Sequence, residues 1–250
     1  MSKYSCENLI CVISGGTSGI GFACAQFLLN DGAKVYILGR NAVRGQEAVS
    51  DLKQITGQTA NFIACDVSDA TSVEDAIKQI KEQKIDILIN SAGVYFEERL
   101  ENMTAESYNK IFDTNVKGTM LLTKAAKTLM YEGSIINIAS DAGVSGNYGC
   151  PIYCASKGAV VALTRALALD FAPHIRVNCI CPADVDTPLL EKQLKAADGG
   201  YTKEDMANAY PLGRIGRAEE IAHVICSVAS PLNSFMTGSI IPVDGGITAQ

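Results

Sequence analysis

The chain has 250 residues, of which 48% are hydrophobic and 19% charged, and its formal net charge is −6. This length fits one large α/β domain, and the composition excludes an intrinsically disordered chain. The negative charge and the lack of a dense Lys/Arg block argue against a nucleic-acid surface. No uncharged apolar run reaches the ~18–20 residues of a bilayer span, and no signal-peptide core precedes the first strand. We therefore expect a cytoplasmic protein that binds neither nucleic acid nor membrane.

The nine cysteines and two histidines do not follow a metal-ligand pattern. No C-x-x-C spacing occurs, and several cysteines, such as Cys11 and Cys65, lie within apolar runs. Cysteine packs in such runs as a small hydrophobic residue, and a cytosol keeps its thiol reduced. His174 and His223 lack ligand spacing and acidic neighbours in sequence. We predict structural roles for these residues and no metal site.

Short β-branched runs alternate along the chain with longer segments that have helical apolar spacing. The predicted strands span residues 9–14, 34–38, 60–64, 85–89, 134–139, 175–181 and 239–243. The predicted helices span residues 19–30, 42–55, 69–83, 104–130, 152–171 and 217–229. The strands are apolar throughout, as expected when helices cover both faces of a sheet. We therefore predict an α/β fold with a Rossmann-like, doubly wound, parallel seven-stranded sheet in a single domain, residues 1–250.

The longest departure from this alternation spans residues 183–210 and contains Thr187-Pro188 and Asp198-Gly-Gly200. Long connections inside a compact domain are uncommon and are usually functional. We predict that this segment is a lid over a substrate pocket. A helical excursion on the surface is the alternative.

Two local patterns point to chemistry. Tyr153 and Lys157 lie at i and i+4 in a predicted helix, so both side chains leave the same face. A cation within about 4–6 Å favours the phenolate form of a tyrosine, so the pair is suited to proton transfer. The run Ser14-Gly-Gly-Thr-Ser-Gly-Ile-Gly21 opens the first predicted helix, whose dipole favours a dinucleotide pyrophosphate. Together the patterns indicate a redox enzyme, although each alone also fits a surface pair or an ordinary turn.

With these motifs the chain resembles the short-chain dehydrogenase/reductase family over almost its whole length. The family's first motif, T-G-x-x-x-G-I-G, corresponds to residues 14–21, where serine at position 14 keeps the hydroxyl. Three further motifs match in order: Cys65-Asp66-Val67, Asn90-Ser-Ala-Gly93 and Pro182-Ala-Asp-Val-Asp-Thr187. Ala183 departs from the family's glycine. The resemblance implies that the cofactor is held by Gly15, Thr17, Ser18, Gly19, Ile20, Gly21, Arg40, Asp66, Val67, Asn90, Ala92, Gly93, Tyr153, Lys157, Val185 and Thr187.

The end of the second predicted strand bears on the choice between NAD and NADP. NAD-specific members of the family carry an acidic residue there, whereas this chain has Gly39-Arg40. A guanidinium can pair with a 2′-phosphate that a carboxylate would repel. Ser18 is not the basic residue that many NADP-binding relatives add before the second glycine. We predict NADP(H) as the favoured cofactor, with NAD(H) also possible.

The resemblance also implies a catalytic tetrad of Asn115, Ser140, Tyr153 and Lys157. Tyr153 is expected to act as general acid and base. Lys157 is expected to lower the pKa of the Tyr153 phenol and to hold the nicotinamide ribose. Ser140 would stabilise charge on the substrate oxygen. Asn115 would hold a water that links Lys157 to solvent.

The predicted reaction interconverts a secondary alcohol and a ketone. Residues 94–99, Val-Tyr-Phe-Glu-Glu-Arg, are aromatic and acidic, which suits a negatively charged carrier protein poorly. We therefore predict a small or hydrophobic free carbonyl substrate, hydroxysteroids included, in a pocket formed by residues 141–148, Tyr95, Phe96 and the lid. A 3-oxoacyl-[acyl-carrier-protein] reductase and a non-catalytic nucleotide-binding protein are the alternatives.

The resemblance further suggests a homotetramer. Its interfaces would be formed by the predicted helices 104–130 and 152–171, and by the C-terminal segment that ends at residues 243–247. The second of these helices is apolar on more than one face, which is more than one contact with a sheet requires. Core packing alone is the alternative reading of that pattern.

Overall fold

The computed structural model describes residues 3–196 and 199–249. Its strands are β1 (Ile10–Ser14), β2 (Lys34–Gly39), β3 (Asn61–Ala64), β4 (Ile87–Asn90), β5 (Gly133–Ile138), β6 (Ile175–Pro182), β7 (Val185–Asp186), β8 (Gly216–Arg217) and β9 (Ile240–Val243). Its α-helices are α1 (Gly19–Asn30), α2 (Ala42–Thr56), α3 (Ala70–Lys78), α4 (Ala105–Phe112), α5 (Gly118–Lys127), α6 (Pro151–Asp170), α7 (Pro188–Ala196), α8 (Lys203–Asn208) and α9 (Ala218–Ala229).

Seven parallel strands form the central sheet in the order β3-β2-β1-β4-β5-β6-β9, which confirms the predicted doubly wound fold. Successive side chains of a strand point to opposite faces, so each face of the sheet has its own core. Ile13 and its register partner Ile37 face the cluster that contains α1 and α9. Val12 and its partner Tyr36 face the cluster that contains α3 and α5. Helices therefore cover both faces, which explains why the strands are apolar throughout.

Two predicted helices differ from the observed ones. The helix predicted over 69–83 ends at Lys78, and Gln83 beyond it has a φ of 50°. The helix predicted over 104–130 is divided into α4 and α5 by one π-helical turn, Asp113–Lys117. Wide turns of this kind are frequent at functional sites. The turn contains Asn115, whose side chain is bonded to a backbone outside the helix, as described below.

The carboxyl ends of the strands open a cleft at the point where the strand order reverses, between β1 and β4. Ligands of open α/β sheets bind at this switch point. The segment that follows β6 crosses the cleft as β7, α7 and α8, and β7 pairs with β8 in a separate two-stranded sheet. Of the predicted lid, Ala197 and Asp198 lie outside the described residues.

Within the described ranges, α6 is the one helix whose length and mean hydropathy of 1.3 are sufficient for a membrane span. Length and composition are the only features that fit that reading. The helix packs along β6 and buries Ile152, Val160 and Thr164. Asn137 of β5 donates a hydrogen bond to the Thr164 hydroxyl at 2.9 Å. These contacts are those of a core helix.

Candidate active site

The cleft has a volume of about 920 Å³ and is lined by most of the predicted site residues. The predicted residues that line it are Gly15, Thr17, Ser18, Gly19, Ile20, Arg40, Asp66, Val67, Ala92, Gly93, Ser140, Tyr153, Lys157, Val185 and Thr187. Three others, Gly21, Asn90 and Asn115, are not among the lining residues. Each of these three packs against or hydrogen-bonds with residues near the cleft.

The glycine-rich turn after β1 approaches the rest of the wall too closely for side chains. Gly15 has a φ of +67°, and a Cβ built on it would lie 3.0 Å from the backbone of Ala92. A Cβ on Gly21 would lie 2.5 Å from the carbonyl oxygen of Gly15. The hydroxyl of Ser14 accepts hydrogen bonds from the backbone amides of Ser91 and Ala92, both at 3.1 Å. This bare backbone at the start of α1 fits a pyrophosphate.

The segment after β6 closes the other side of that turn. A Cβ on Gly19 would lie 3.2 Å from Cγ2 of Thr187, whose hydroxyl donates to the carbonyl of Val185 at 3.2 Å. Ala183 stands where the family has glycine. Its φ is not positive, so this backbone does not require glycine. Val185 and Thr187 therefore lie beside the glycine-rich turn in spite of that departure.

The far end of the cleft, beyond β2 and β3, carries cations and carboxylates, of which Asp66 is fixed by hydrogen bonds. Arg40 and Arg44 both line this end and are exposed. Oδ1 of Asp66 accepts hydrogen bonds from the amide and the hydroxyl of Ser68, at 3.0 and 2.7 Å. Burial alone would raise the pKa of Asp66, but the Ser68 hydrogen bonds and the nearby Arg40 lower it overall. The end of the cleft that the family uses for adenosine therefore combines guanidinium groups with an ionised aspartate.

Asn90 serves the sheet rather than the cleft. Its side chain is 3% exposed and donates to the Thr123 hydroxyl at 3.0 Å and to Oδ1 of Asn137 at 2.8 Å. Its own Oδ1 has no hydrogen-bond partner. The side chain thus ties β4 to β5 and α5, while Ala92 and Gly93 line the cleft through small side chains and backbone.

Tyr153 and Lys157 lie in the first turns of α6 with their side chains towards the cleft. Nζ of Lys157 donates to the carbonyl of Ile138 at 2.9 Å and lies 5.7 Å from the centroid of the Tyr153 ring. A Cβ on Gly93 would lie 3.6 Å from that Nζ and 3.4 Å from Oδ1 of Asn115. The ammonium group and the asparagine amide therefore flank the same glycine.

The π-helical turn explains how Asn115 reaches this position. Its Oδ1 accepts from the amide of Val94 at 2.8 Å, and its Nδ2 donates to the carbonyl of Val94 at 3.0 Å. Nδ2 also lies 3.2 Å from the hydroxyl of Ser156 on α6. Asn115 thus joins the loop after β4 to the helix that carries Tyr153, and it is 1% exposed.

Ser140 follows β5 and is bonded to its own neighbour. Its hydroxyl donates to Oδ1 of Asp141 at 2.6 Å, and its Oγ accepts from the amide of Ala142 at 3.2 Å. Both Ser140 and Asp141 are buried, at 7% and 6% exposure. A carboxylate can only accept hydrogen bonds. Asp141 therefore fixes the direction of the Ser140 hydroxyl, a role the sequence analysis did not assign.

Burial governs the acid–base properties of the pair on α6. Burial raises the pKa of the Tyr153 phenol, a hydrogen bond with Ser140 lowers it, and the charges of Asp141 and Asp184 raise it further. Burial lowers the pKa of Lys157 to about 8. Desolvation and two carboxylates therefore oppose the phenolate in this arrangement.

The cleft near Tyr153 is more acidic and richer in tyrosine than the motifs indicate. The ring of Tyr95 meets that of Tyr153 edge-on, with centroids 4.8 Å apart. One oxygen of Glu97 accepts from the hydroxyls of Tyr95 and Tyr201 and from Nε2 of Gln193 in α7. This carboxylate thereby ties the segment after β6 to the loop after β4.

Two further acidic or aromatic positions correct the predicted pocket. Asp184 lines the cleft and accepts a 2.6 Å hydrogen bond from the hydroxyl of Tyr210. Phe96, which was expected in the pocket, is not among the lining residues, and its ring lies 5.6 Å from Nζ of Lys110. The acidic character of residues 94–99 was apparent from the sequence, whereas the position of Asp184 in the cleft was not.

Comparison with known proteins agrees with this geometry. Residues 15–248 match the family model described as Enoyl-(Acyl carrier protein) reductase. An uncharacterized oxidoreductase of Thermotoga maritima is 37% identical over 250 residues, covering 97% of this chain and 98% of that protein. A 3-oxoacyl-[acyl-carrier-protein] reductase of Chlamydia pneumoniae is 34% identical over 246 residues, covering 95% of this chain and 96% of that protein.

A crystal structure of a short-chain type dehydrogenase/reductase from Mycobacterium marinum is also similar. It matches with a TM-score of 0.92 and 34% identity, covering 99% of this chain and 98% of that one. The chain therefore belongs to the short-chain dehydrogenase/reductase family, as its motifs predicted. It is an oxidoreductase of a family that uses a nicotinamide cofactor.

Proposed function

We propose that this protein interconverts a secondary alcohol and a ketone, with Asn115, Ser140, Tyr153 and Lys157 as its catalytic tetrad. The observation that carries the proposal is that Ser140, Tyr153 and Lys157 all line one cleft, which also contains the bare glycine turn. A nicotinamide cofactor bound along that turn supplies or accepts the hydride. The protein's own residues supply orientation and proton transfer.

Each member of the tetrad has a distinct task in this proposal. The hydroxyl of Tyr153 gives its proton to the carbonyl oxygen in reduction, and the phenolate removes it from the alcohol in oxidation. Ser140 would turn its hydroxyl from Asp141 to the same substrate oxygen and stabilise the charge that develops there. Lys157 keeps a cation beside the phenol and is the group suited to bond the ribose. Asn115 holds the loop at Val94 against α6, with its Oδ1 beside the lysine.

Tyr153→Phe tests the acid–base assignment, because it removes only the hydroxyl. Turnover should fall by at least the ~10²–10⁴ typical of a lost general acid or base, while cofactor affinity measured by fluorescence stays close to that of the wild type. Tyr131→Phe is the matched control, since Tyr131 is 75% exposed and is not among the residues that line the cleft. Near-normal turnover of the Tyr153 variant would contradict the assignment.

NADP(H) is the cofactor that we propose is favoured, with NAD(H) as a slower alternative. The support is a pair of exposed guanidinium groups, Arg40 and Arg44, at the end of the cleft where Gly39 replaces an acidic residue. Glu47 and Asp51 line the same end farther along α2. A charge-assisted hydrogen bond of about 1.5–3 kcal/mol corresponds to roughly one to two decades in affinity.

The cofactor preference is tested by kcat/KM with each cofactor for the wild type and for the double variant Gly39→Asp, Arg40→Ala. We expect the wild type to favour NADPH and the variant to favour NADH, mainly through KM. Arg99→Ala is a control, since Arg99 is exposed and pairs with Glu101. Equal wild-type values for the two cofactors would mean that Arg40 does not read the 2′-phosphate.

A small free carbonyl compound is the substrate class that we propose, with hydroxysteroids among the compounds to be screened. Glu97, Asp141 and Asp184 line the approach to Tyr153, and such a wall would repel an acidic acyl-carrier protein. The Chlamydia relative nevertheless makes a 3-oxoacyl-thioester reductase the second candidate. A panel of free ketones, hydroxysteroids and an acetoacetyl thioester, each with NADPH and NADH, separates the candidates. No cofactor oxidation with any of them would favour a non-catalytic nucleotide-binding protein.

We propose a cytoplasmic homotetramer as the working form. All nine cysteines are free, which is compatible with a reducing compartment. Tyr108 of α4, Met120 of α5 and Leu169 of α6 are exposed by 41%, 47% and 81%, so the helices expected at the interface retain apolar surface. A monomeric mass by light scattering at micromolar concentration would exclude the tetramer.

A further inference from the structure

Two cysteines bracket the proposed acid–base residue. Cys150 is the residue that immediately precedes α6, and Cys154 lies one helical turn further on, directly after Tyr153. Their sulfur atoms are 3.8 Å apart, and each lies 3.8 Å from the carbonyl oxygen of Asn147. Cys150 also lines the cleft. The two thiols therefore lie in contact at the edge of the candidate active site.

The two thiols differ in their access to solvent. Cys154 is partly exposed, whereas the other eight cysteines are buried. Burial, followed by the proximity of Cys154, raises the pKa of Cys150 to about 12. Since the thiolate is the nucleophile, a reagent in solution should react first at Cys154. Cys150 is then the adjacent thiol that can attack in a second step.

We propose that Cys150 and Cys154 form a dithiol modification site, at which a low-molecular-weight disulfide converts the pair to an intramolecular disulfide beside Tyr153. The Cys154 thiolate attacks one sulfur of the reagent RSSR, releases RS⁻ and forms a mixed disulfide. Cys150 then loses its proton and attacks the Cys154 sulfur, which releases the second RS⁻. The two cysteines lose two electrons and two protons in all, and the reagent is reduced to two RSH.

Closing this disulfide must alter the start of α6. The sulfur atoms have to move from 3.8 Å to about 2.05 Å. The Cys154 amide already donates to the Cys150 carbonyl at 3.0 Å, so the first turn is wound before oxidation. Tyr153 lies within that turn, and the Tyr95 ring packs against it. We therefore expect oxidation to displace the phenol and to inhibit turnover, a consequence that rests on the proposed function.

The chemistry is tested without any substrate by adding the aromatic disulfide 5,5′-dithiobis(2-nitrobenzoate) to the native wild-type protein. Two equivalents of thionitrobenzoate should be released per chain, and the protein mass should fall by that of two hydrogens with no adduct retained. Cys150→Ser should release one equivalent and keep an adduct on Cys154. Cys154→Ser should react many-fold more slowly, since its remaining thiols are buried.

Two results would overturn the proposal. In the first, the wild-type protein releases one equivalent of thionitrobenzoate and retains the aromatic adduct. In the second, the protein reacts with the reagent only as it unfolds. The same variants then separate this site from the proposed function. Oxidised wild type should lose turnover and regain it with dithiothreitol, while Cys154→Ser should keep its own untreated activity after the reagent. Disulfide formation without activity in any sample would leave the dithiol site standing and refute the proposed function instead.

Discussion

Replacement of Lys157 by methionine measures how strongly burial of an ammonium group destabilises this fold. Lys157 is 6% exposed, and burial lowers its pKa from 10.5 to about 8. One pKa unit corresponds to about 1.4 kcal/mol, so the charged form carries a penalty on the order of 3 kcal/mol in the folded state. Methionine has a similar length and no charge, so the variant is free of that penalty.

The penalty depends on pH with a defined sign. Below about pH 8 both folded and unfolded chains hold the proton on Lys157, and the full penalty applies. Between about pH 8 and pH 10.5 the unfolded chain keeps the proton that the folded chain releases, so wild-type stability rises with pH from this group. The methionine variant lacks this rise.

The hydrogen bond from Nζ to the Ile138 carbonyl partly offsets the gain in the variant. Losing that 2.9 Å bond costs about 1 kcal/mol. The net expectation is a variant more stable than wild type by about 2 kcal/mol near pH 7, an advantage that vanishes by roughly pH 10. Urea denaturation of both proteins without cofactor, at equal protein concentration and at both pH values, gives the two differences.

Lys53→Met is the matched control, because Lys53 is exposed on α2 and should show almost no difference at either pH. The Lys157 variant should also lose turnover, so the predicted gain in stability accompanies a loss of function. A stability difference that is the same near pH 7 and near pH 10 would refute the reasoning, because it would mean that Lys157 is not desolvated in the folded protein.

Two other variants test the charges and the backbone of the cleft. Asp141→Asn keeps an acceptor for Ser140 but removes a charge that raises the pKa of Tyr153. In a plot of the alcohol-oxidation rate against pH, the rise in rate should therefore occur at lower pH in this variant. Asp186→Asn is the control, since Asp186 is an exposed partner of Lys203 and its loss should leave the rise at the wild-type pH. Gly21→Ala places a Cβ 2.5 Å from the Gly15 carbonyl and should weaken cofactor binding at least about tenfold and lower stability by ~1–3 kcal/mol. In Gly158→Ala on α6, the new Cβ would meet only the carbonyl oxygen of Gly143, at 3.7 Å. The thermal stability of this variant, measured by calorimetry, should equal or exceed that of the wild type.

Much of the fold was predictable because its signals are local in the chain. Each strand of the central sheet lies within two residues of its predicted bounds. Inner strands such as β1 and β4 are buried at every position and therefore appear in the sequence as short apolar runs. The turn at residues 14–21 was predictable for the same reason, because the φ of +67° at Gly15 and the 2.5 Å approach of a Gly21 Cβ to the Gly15 carbonyl both require glycine. Family membership followed from these motifs, and the comparisons confirm it.

The tertiary structure decided what each polar side chain of the cleft contacts. The side chain of Asn90 is bonded to Thr123 and Asn137, which lie 33 and 47 positions away in sequence. Glu97 meets Tyr201, which is 104 positions away. Contacts over such separations depend on how loops from different strands meet above the sheet, and no local periodicity encodes them. The negative charge of the cleft near Tyr153 therefore depends on the tertiary structure. The strands of the sheet and the glycine turn, in contrast, are encoded by short runs of residues.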